Sequence, residues 1–219
     1  MIVLAMDTAG PDCSAALYDS NSDRMLAEVT ENIGRGHAER LMAVVDLALA
    51  KADVELGAVE RIAITIGPGS FTGIRVGVAA ARGFALSLGV PAVGVSTLEV
   101  LAAQKRNEAL DQPVLAAMDA KRDEVYAQSF DADGRPSGEP AALAVTDAIA
   151  LARTFPGTIA GSAAALLRGE EASGEPDRFP ISIVARLAAK ADPGGGPPSP
   201  LYLRGPDAKP QAGFAIPRI

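Results

Sequence analysis

Histidine and cysteine are almost missing from this chain: 219 residues contain one of each, no tryptophan and only 4% aromatic side chains. A lone Cys13 excludes an internal disulfide. One histidine cannot supply the multi-histidine ligand sets of zinc or iron sites, and a Ser/His/Asp or Cys/His nucleophile would have to be assembled from His37 alone. Excess positive charge is missing too, since the net charge is −7 and lysines and arginines are scattered rather than gathered into a stripe. Phosphate neutralisation dominates nucleic-acid affinity, so such a chain is expected to bind RNA poorly by itself. Long hydrophobic runs are absent as well. The longest uncharged apolar stretch, residues 83–98, is broken by Gly89-Val90-Pro91 and is too short to span a bilayer, so no membrane span is expected. The first residues carry no basic region ahead of their apolar run and no cleavage pattern, which makes the cytoplasm the expected compartment.

What is present reads as an α/β protein. At 48% hydrophobic and 21% charged, the chain has ordinary globular composition and room for one large domain or two small ones. Three short strands come first, at about 2–6, 14–19 and 24–30, separated by the turn-forming Ala9-Gly10-Pro11-Asp12 and Ser20-Asn21-Ser22-Asp23. Alternation follows: helix 37–52, strand 61–66, helix 72–88, strand 92–95 and a helix from Thr97. That order implies a mixed sheet with an antiparallel side, as in ribonuclease H-like folds. The polar KRNEALDQP stretch near 105–113 marks a boundary, giving an N-terminal domain at 1–107 and a smaller α/β unit at 108–219. In the second unit strands are expected at 114–118, 124–130 and 158–160, with helices near 146–154 and 181–191. A Gly/Pro-rich linker at 192–200 precedes the extended Leu201-Tyr202-Leu203-Arg204 and a Pro-rich tail, and no internal repeat is found.

The most informative segment is Gly67-Pro68-Gly69-Ser70-Phe71-Thr72-Gly73-Ile74-Arg75, between an apolar strand and a helix. It has no lysine for a P-loop and lacks the third glycine of a dinucleotide loop, so it is either a tight structural turn or an anion site at a helix start. Its helix carries Gly73, Gly77, Ala81, Ala85 and Gly89, a small residue every fourth position, which lets another backbone approach closely. That backbone is either the chain's own sheet or another polypeptide. In the helix at 37–52, Leu41, Met42, Val44, Val45, Leu47 and Leu49 lie nearly all round the axis, more than one sheet face needs. His37 opens that helix, and the position one turn later, where a metal site would want a second histidine, is Leu41. Cys13 reads as a small buried strand residue. Asp7 and Thr8, at the end of the first strand, either hold a metal and phosphate or close the turn through side-chain to backbone bonds.

Taken together, the segments Leu4-Ala5-Met6-Asp7-Thr8, Cys13-Ser14-Ala15-Ala16-Leu17, His37-Ala38-Glu39-Arg40-Leu41, GPGSFTGIR at 67–75, Gly89-Val90-Pro91 with Gly94-Val95-Ser96-Thr97-Leu98-Glu99, Asp119-Ala120-Lys121-Arg122-Asp123-Glu124-Val125-Tyr126 and Leu201-Tyr202-Leu203-Arg204 resemble the TsaB (YeaZ) family of the ASKHA superfamily. The resemblance implies two ribonuclease H-like (actin-like ATPase) lobes, the second smaller, and a non-catalytic subunit. Such a subunit is a homodimer alone and a heterodimer with TsaD, which transfers a threonylcarbamoyl group to the adenosine beside the anticodon; TsaE, an ATPase, joins them. It also implies that His37 matches the first metal-ligand position of TsaD while Leu41 replaces the second. On this reading no residue is catalytic, no metal or cofactor is held, and tRNA is met only indirectly. Candidate partner contacts are His37, Leu41, Val44, Val45, Gly73, Gly77, Ala81 and Phe84; candidate motif-loop residues are Gly67, Pro68, Gly69, Ser70, Phe71, Thr72, Gly73 and Arg75; a residual nucleotide site would use Asp7 and Thr8. The sequence departs from the family at Ala9-Gly10-Pro11, where hydroxyl residues usually follow Asp-Thr. The alternative is an ASKHA ATPase or kinase using Asp7, Thr8 and the strand pair around Asp119. A metalloprotease is disfavoured by the single histidine.

Overall fold

A computed structural model describes residues 1–108, 111–171 and 174–204. The expected Pro-rich tail lies outside the described residues. Strands β1 (Ile2–Asp7), β2 (Asp12–Asp19), β3 (Arg24–Asn32), β4 (Arg61–Gly67) and β5 (Ala92–Ser96) form one sheet in the order β3-β2-β1-β4-β5. The β1–β2 and β2–β3 pairs are antiparallel, whereas β1–β4 and β4–β5 are parallel. This is the mixed sheet implied by two hairpins followed by β-α-β alternation. β1 sits at the centre with β4 beside it, and their apolar runs, IVLAM and IAITI, tolerate burial on both faces.

Helices α1 (His37–Ala52) and α2 (Phe71–Leu88) touch one another; α1 lies on β2 and β3, and α2 on β4 and β1. α3 (Thr97–Glu108) connects the two halves, touching β4 and β5 on one side and β6 on the other. Its last turn, with Lys105 and Arg106, runs through part of the polar stretch expected as a boundary.

The second sheet contains β6 (Val114–Lys121), β7 (Glu124–Phe130), β8 (Ala141–Ala144) and β9 (Thr158–Ala160) in the order β8-β7-β6-β9. Pairing is antiparallel for β6–β7 and β7–β8 and parallel for β6–β9. It repeats the arrangement of the first four strands of the first sheet in shortened form. α4 (Val145–Thr154) and α5 (Ala164–Arg168) touch one another, and α4 lies along β7 and β8. α6 (Ile181–Lys190), expected from its position in the sequence to belong to the second unit, instead packs on all five strands of the first sheet. Its apolar positions Ile181, Val184, Ala185 and Ala188 bury on that sheet, and Arg61 Nη1 donates to the carbonyls of Ala188, Ala189 and Ala191 at its end. The single cut at 107/108 is corrected accordingly: the chain returns to the first lobe to cover its open face. The Gly/Pro-rich segment also lies on that lobe, with the Pro198 carbonyl accepting from Arg82 Nε at 2.7 Å.

By length and apolarity α2 is the one described helix comparable to a membrane span, at 18 residues and mean hydropathy 1.2. One face of it packs on the sheet through Gly73, Ile74, Gly77, Val78 and Ala81.

Candidate functional site

At the end of β1 the chain turns through Asp7 and Thr8, both fully buried. Asp7 Oδ1 accepts from Thr65 Oγ1 at 2.6 Å and from the Ala9 N–H at 3.0 Å, while Oδ2 has no partner among the described residues. Burial, only partly offset by the bond from Thr65, pushes the Asp7 carboxyl up to about 6. Thr8 Oγ1 donates to the Gly73 carbonyl at 2.8 Å. Both side chains thus close the turn and tie it to β4 and α2.

The loop from Gly67 to Arg75 is fastened to the same turn. The Gly67–Pro68 peptide is cis, the Pro68 carbonyl accepts from Thr97 Oγ1 at 2.6 Å, and the Ser70 N–H donates to the Ala9 carbonyl at 2.8 Å. Ser70 caps α2, its hydroxyl accepting from the Gly73 N–H, so one donor of the helix start is already taken. Of the remaining motif residues, Gly69, Phe71, Thr72 and Arg75 face outward at least in part.

The small-residue stripe faces inward. A Cβ at Gly73 would lie 2.0 Å from the Thr8 carbonyl oxygen, and one at Gly77 would lie 2.4 Å from Thr8 Oγ1 and 2.6 Å from Ile64 Cδ1. Gly73, Gly77 and Ala81 are therefore corrected from partner contacts to inward-facing residues, because the Thr8 turn and Ile64 of β4 leave no room for a side chain at either glycine and Ala81 is fully buried. The same holds on α1. His37, Leu41, Val44 and Val45 are buried at helical spacing against β2 and β3, with His37 Nε2 3.2 Å from the Asp12 carbonyl oxygen. Of the eight expected contacts only Phe84 is half-exposed.

What the two helices turn outward is different. On α1, Met42 is 44% and Leu47 43% exposed, on opposite shoulders of the buried stripe; on α2, Phe71 is 57% and Leu86 86% exposed. The excess of apolar residues noted on α1 is thus real, but it falls on Met42 and Leu47.

Between the lobes lies a cleft of about 380 Å³, lined by Ala9, Gly10, Ser70, Asp119, Lys121, Ser162, Glu175 and Asp177 among others. Its polar groups are already coupled to one another. Ser162 Oγ donates to Asp177 Oδ2 at 2.5 Å and accepts from the Asp119 N–H at 3.0 Å, and Lys121 Nζ pairs with Asp119 at 2.6 Å. Burial pushes the Asp177 carboxyl above its ordinary range. The lining carries three carboxylates and one lysine, a poor receptor for a polyphosphate. Cys13 is fully buried, and burial pushes its thiol up to about 11, which suits a packing residue and not a nucleophile.

Several residues of this region were not singled out in the sequence. Thr65 was legible as a lone hydroxyl in an otherwise apolar strand, IAITI. Thr97, the Ser162–Asp177 pair and the Asp12–Arg178 ion pair at 2.6 Å join positions too distant in sequence for a local pattern to link.

The model of the TsaD family, described as tRNA N6-adenosine threonylcarbamoyltransferase, matches residues 24–179. An uncharacterised protein of Mycobacterium tuberculosis is 35% identical over 214 residues, covering 96% of this chain and 95% of that protein. The Escherichia coli tRNA threonylcarbamoyladenosine biosynthesis protein TsaB is 38% identical over 135 residues, 61% of this chain and 56% of that protein. The solved structure of YeaZ from Pseudomonas aeruginosa superposes with a TM-score of 0.74 at 29% identity, covering 92% of this chain and 99% of that one. The fold of YeaZ thus extends along nearly the full length of this chain and the TsaD family model matches most of it, and the chain belongs to the TsaB (YeaZ) family of tRNA threonylcarbamoyladenosine biosynthesis proteins.

Proposed function

We propose that this chain is a non-catalytic cytoplasmic subunit that activates TsaD by pairing with it through the outward sides of α1 and α2, with TsaE joining the pair. Alone, the same surface pairs two copies of the chain, and tRNA is held by the partner. The observation that carries this reading is the exposure of Met42, Leu47 and Leu86 on two adjacent helices whose inner faces are already filled. Two features support the absence of chemistry of its own. His37 is buried with Leu41 one turn on, and the charged groups lining the interlobe cleft are three carboxylates against one lysine.

The test replaces Met42, Leu47 and Leu86 together with glutamate in the full chain and measures TsaD binding by analytical ultracentrifugation and tRNA threonylcarbamoylation in the reconstituted system. The triple variant should remain folded, fail to bind and fail to stimulate transfer. Wild-type binding and stimulation by that variant would sink the reading.

A second reading, a nucleotide-binding enzyme of the ATPase or kinase type, is favoured by one observation: the interlobe cleft beside the Asp7 turn, where Asp7 keeps a buried oxygen without a partner. Calorimetric binding of millimolar ATP with magnesium by the isolated subunit would support it, and its absence would remove it.

A further inference from the structure

We infer that Phe71, Arg75 and Tyr202 form a preorganised anchor for a carboxylate on the partner protein's docking surface. The inference rests on the heterodimer reading and adds the chemistry of one contact.

Single exposed aromatic rings are common and need no explanation. Here two come together: Phe71 and Tyr202, 57% and 52% exposed, have ring centroids 5.7 Å apart. The Arg75 guanidinium carbon lies 3.8 Å from the Phe71 centroid and 5.8 Å from that of Tyr202, and Arg75 Nε donates to the Tyr202 hydroxyl at 2.9 Å. An arginine normally loses considerable rotamer freedom on binding, and stacking plus one hydrogen bond removes much of that freedom beforehand. The Nη groups have no hydrogen-bond partner among the described residues, which leaves a fixed, planar pair of donors of the kind that matches a carboxylate. Tyr202 is itself held from both sides. The Leu201 N–H donates to the Ile66 carbonyl at 2.8 Å, and Arg204 pairs with Glu124 of the second lobe.

The surroundings choose the partner's charge. α2 contains two arginines and no acidic residue in a chain of net charge −7. At 100° per residue, Phe71, Arg75, Ala79, Arg82 and Leu86 fall within about 80° of the helix circumference, an exposed cationic and apolar strip flanking the buried face. RNA would need several free cations to offset the repulsion of an acidic protein, and Arg82 already donates to Pro198. A protein surface offering a carboxylate beside apolar side chains fits better, and arginine and tyrosine are the residues on which interface energy concentrates.

The experiment titrates TsaD with the full chain by fluorescence anisotropy at low and high salt. Arg75→Ala should weaken binding about 30-fold and flatten its salt dependence, Arg75→Lys about 10-fold because charge survives without the fork, and Tyr202→Phe about 3-fold. Unchanged melting temperatures exclude a folding defect, and the two conservative variants keep the test decisive if the alanine variant folds poorly. If wild type does not bind TsaD, the heterodimer reading itself falls. If wild type binds and Arg75→Ala binds within about twofold of it, the anchor alone is overturned. It is also overturned if Phe71→Ala abolishes tRNA binding by the isolated chain, or if Arg75→Ala weakens only self-association.

Discussion

The two sheets share a strand plan but not a way of being buried. Both faces of the first belong to one continuous core, with Leu4, Met6, Leu17, Leu41, Ile62, Ile64 and Leu98 fully enclosed between α1 and α2 on one side and α3 and α6 on the other. The second divides its faces. Alternate residues of β6, Val114, Ala116 and Met118, join the core of the first lobe, while Leu115 and Ala117 point into a separate cluster with Val125, Ala127, Ala148, Ala163 and Leu167. That cluster contains two leucines, one valine and four alanines, so it buries little apolar area of its own. The second lobe is therefore stabilised through its shared face, and the first is completed by α6 from beyond the second. The core of each lobe is thus completed by chain from outside its own sheet.

Gly73→Ala tests the tighter of the two packings and should have the largest effect. The new methyl would meet the backbone carbonyl of Thr8, which cannot swing aside as a side chain can. We expect a loss of more than about 3 kcal/mol in urea unfolding, a large share of an ordinary domain's stability. A loss under about 1 kcal/mol would mean that α2 is free to lift from the sheet.

Leu115→Ala probes the weaker side. Removing one of two leucines from a small cluster should cost about 3 kcal/mol. The loss should show first as faster amide exchange in α4 and α5, with β1 and β4 still protected. Equal loss of protection in both sheets would merge the two cores into one cooperative unit and end the distinction.

The contrast between the sheets also marks what could be read in advance. β1 to β5, α1 and α2 follow from apolar period and turn residues, because each carries its own signal over six or more residues or a clear bounding turn. β8 was not anticipated: Ala141–Ala144, AALA, has no β-branched residue and is a strand because β7 has an edge to pair with. α5, five residues long, is too short to show a period. The destination of α6 is a tertiary fact, since its amphipathic pattern says that it covers something but not which sheet. The small-residue stripe on α2 teaches the same lesson at the site. Its spacing announced a close backbone approach, and only the fold shows that the backbone is Thr8's own strand turn. Asp7 and Thr8 were legible as turn-closing groups, whereas the cleft pair Ser162 and Asp177 was not.

Asp7 supplies a charge-based test of the first core. Its pKa is about 6 in the folded chain against an ordinary 3.8, so the folded state holds a proton more tightly than the unfolded state between those values. The linked stability is fully present below about pH 4 and is lost as pH rises through 6. Relative to Asp7→Asn, wild type should lose on the order of 2–3 kcal/mol between pH 4 and pH 7, read as the difference between two urea series. Parallel series would mean that the carboxylate is solvated, and that the turn around it opens more than this packing allows.

The smallest expected effect on stability separates the lobes by role. Leu86 on α2 and Leu151 on α4 are both exposed leucines, 86% and 36% respectively, and serine at either position should alter unfolding free energy by less than about 0.5 kcal/mol. Their consequences for association should differ. An exposed side chain that the fold does not need is retained either by chance or for a neighbour, and only Leu86 shares its helix face with the Arg75 and Phe71 cluster. Sedimentation of the chain with TsaD should therefore show weakened pairing for Leu86→Ser and unchanged pairing for Leu151→Ser. Equal weakening by both would spread the interface over the two lobes, and the inner-filled, outer-exposed helices of the first would lose their special standing.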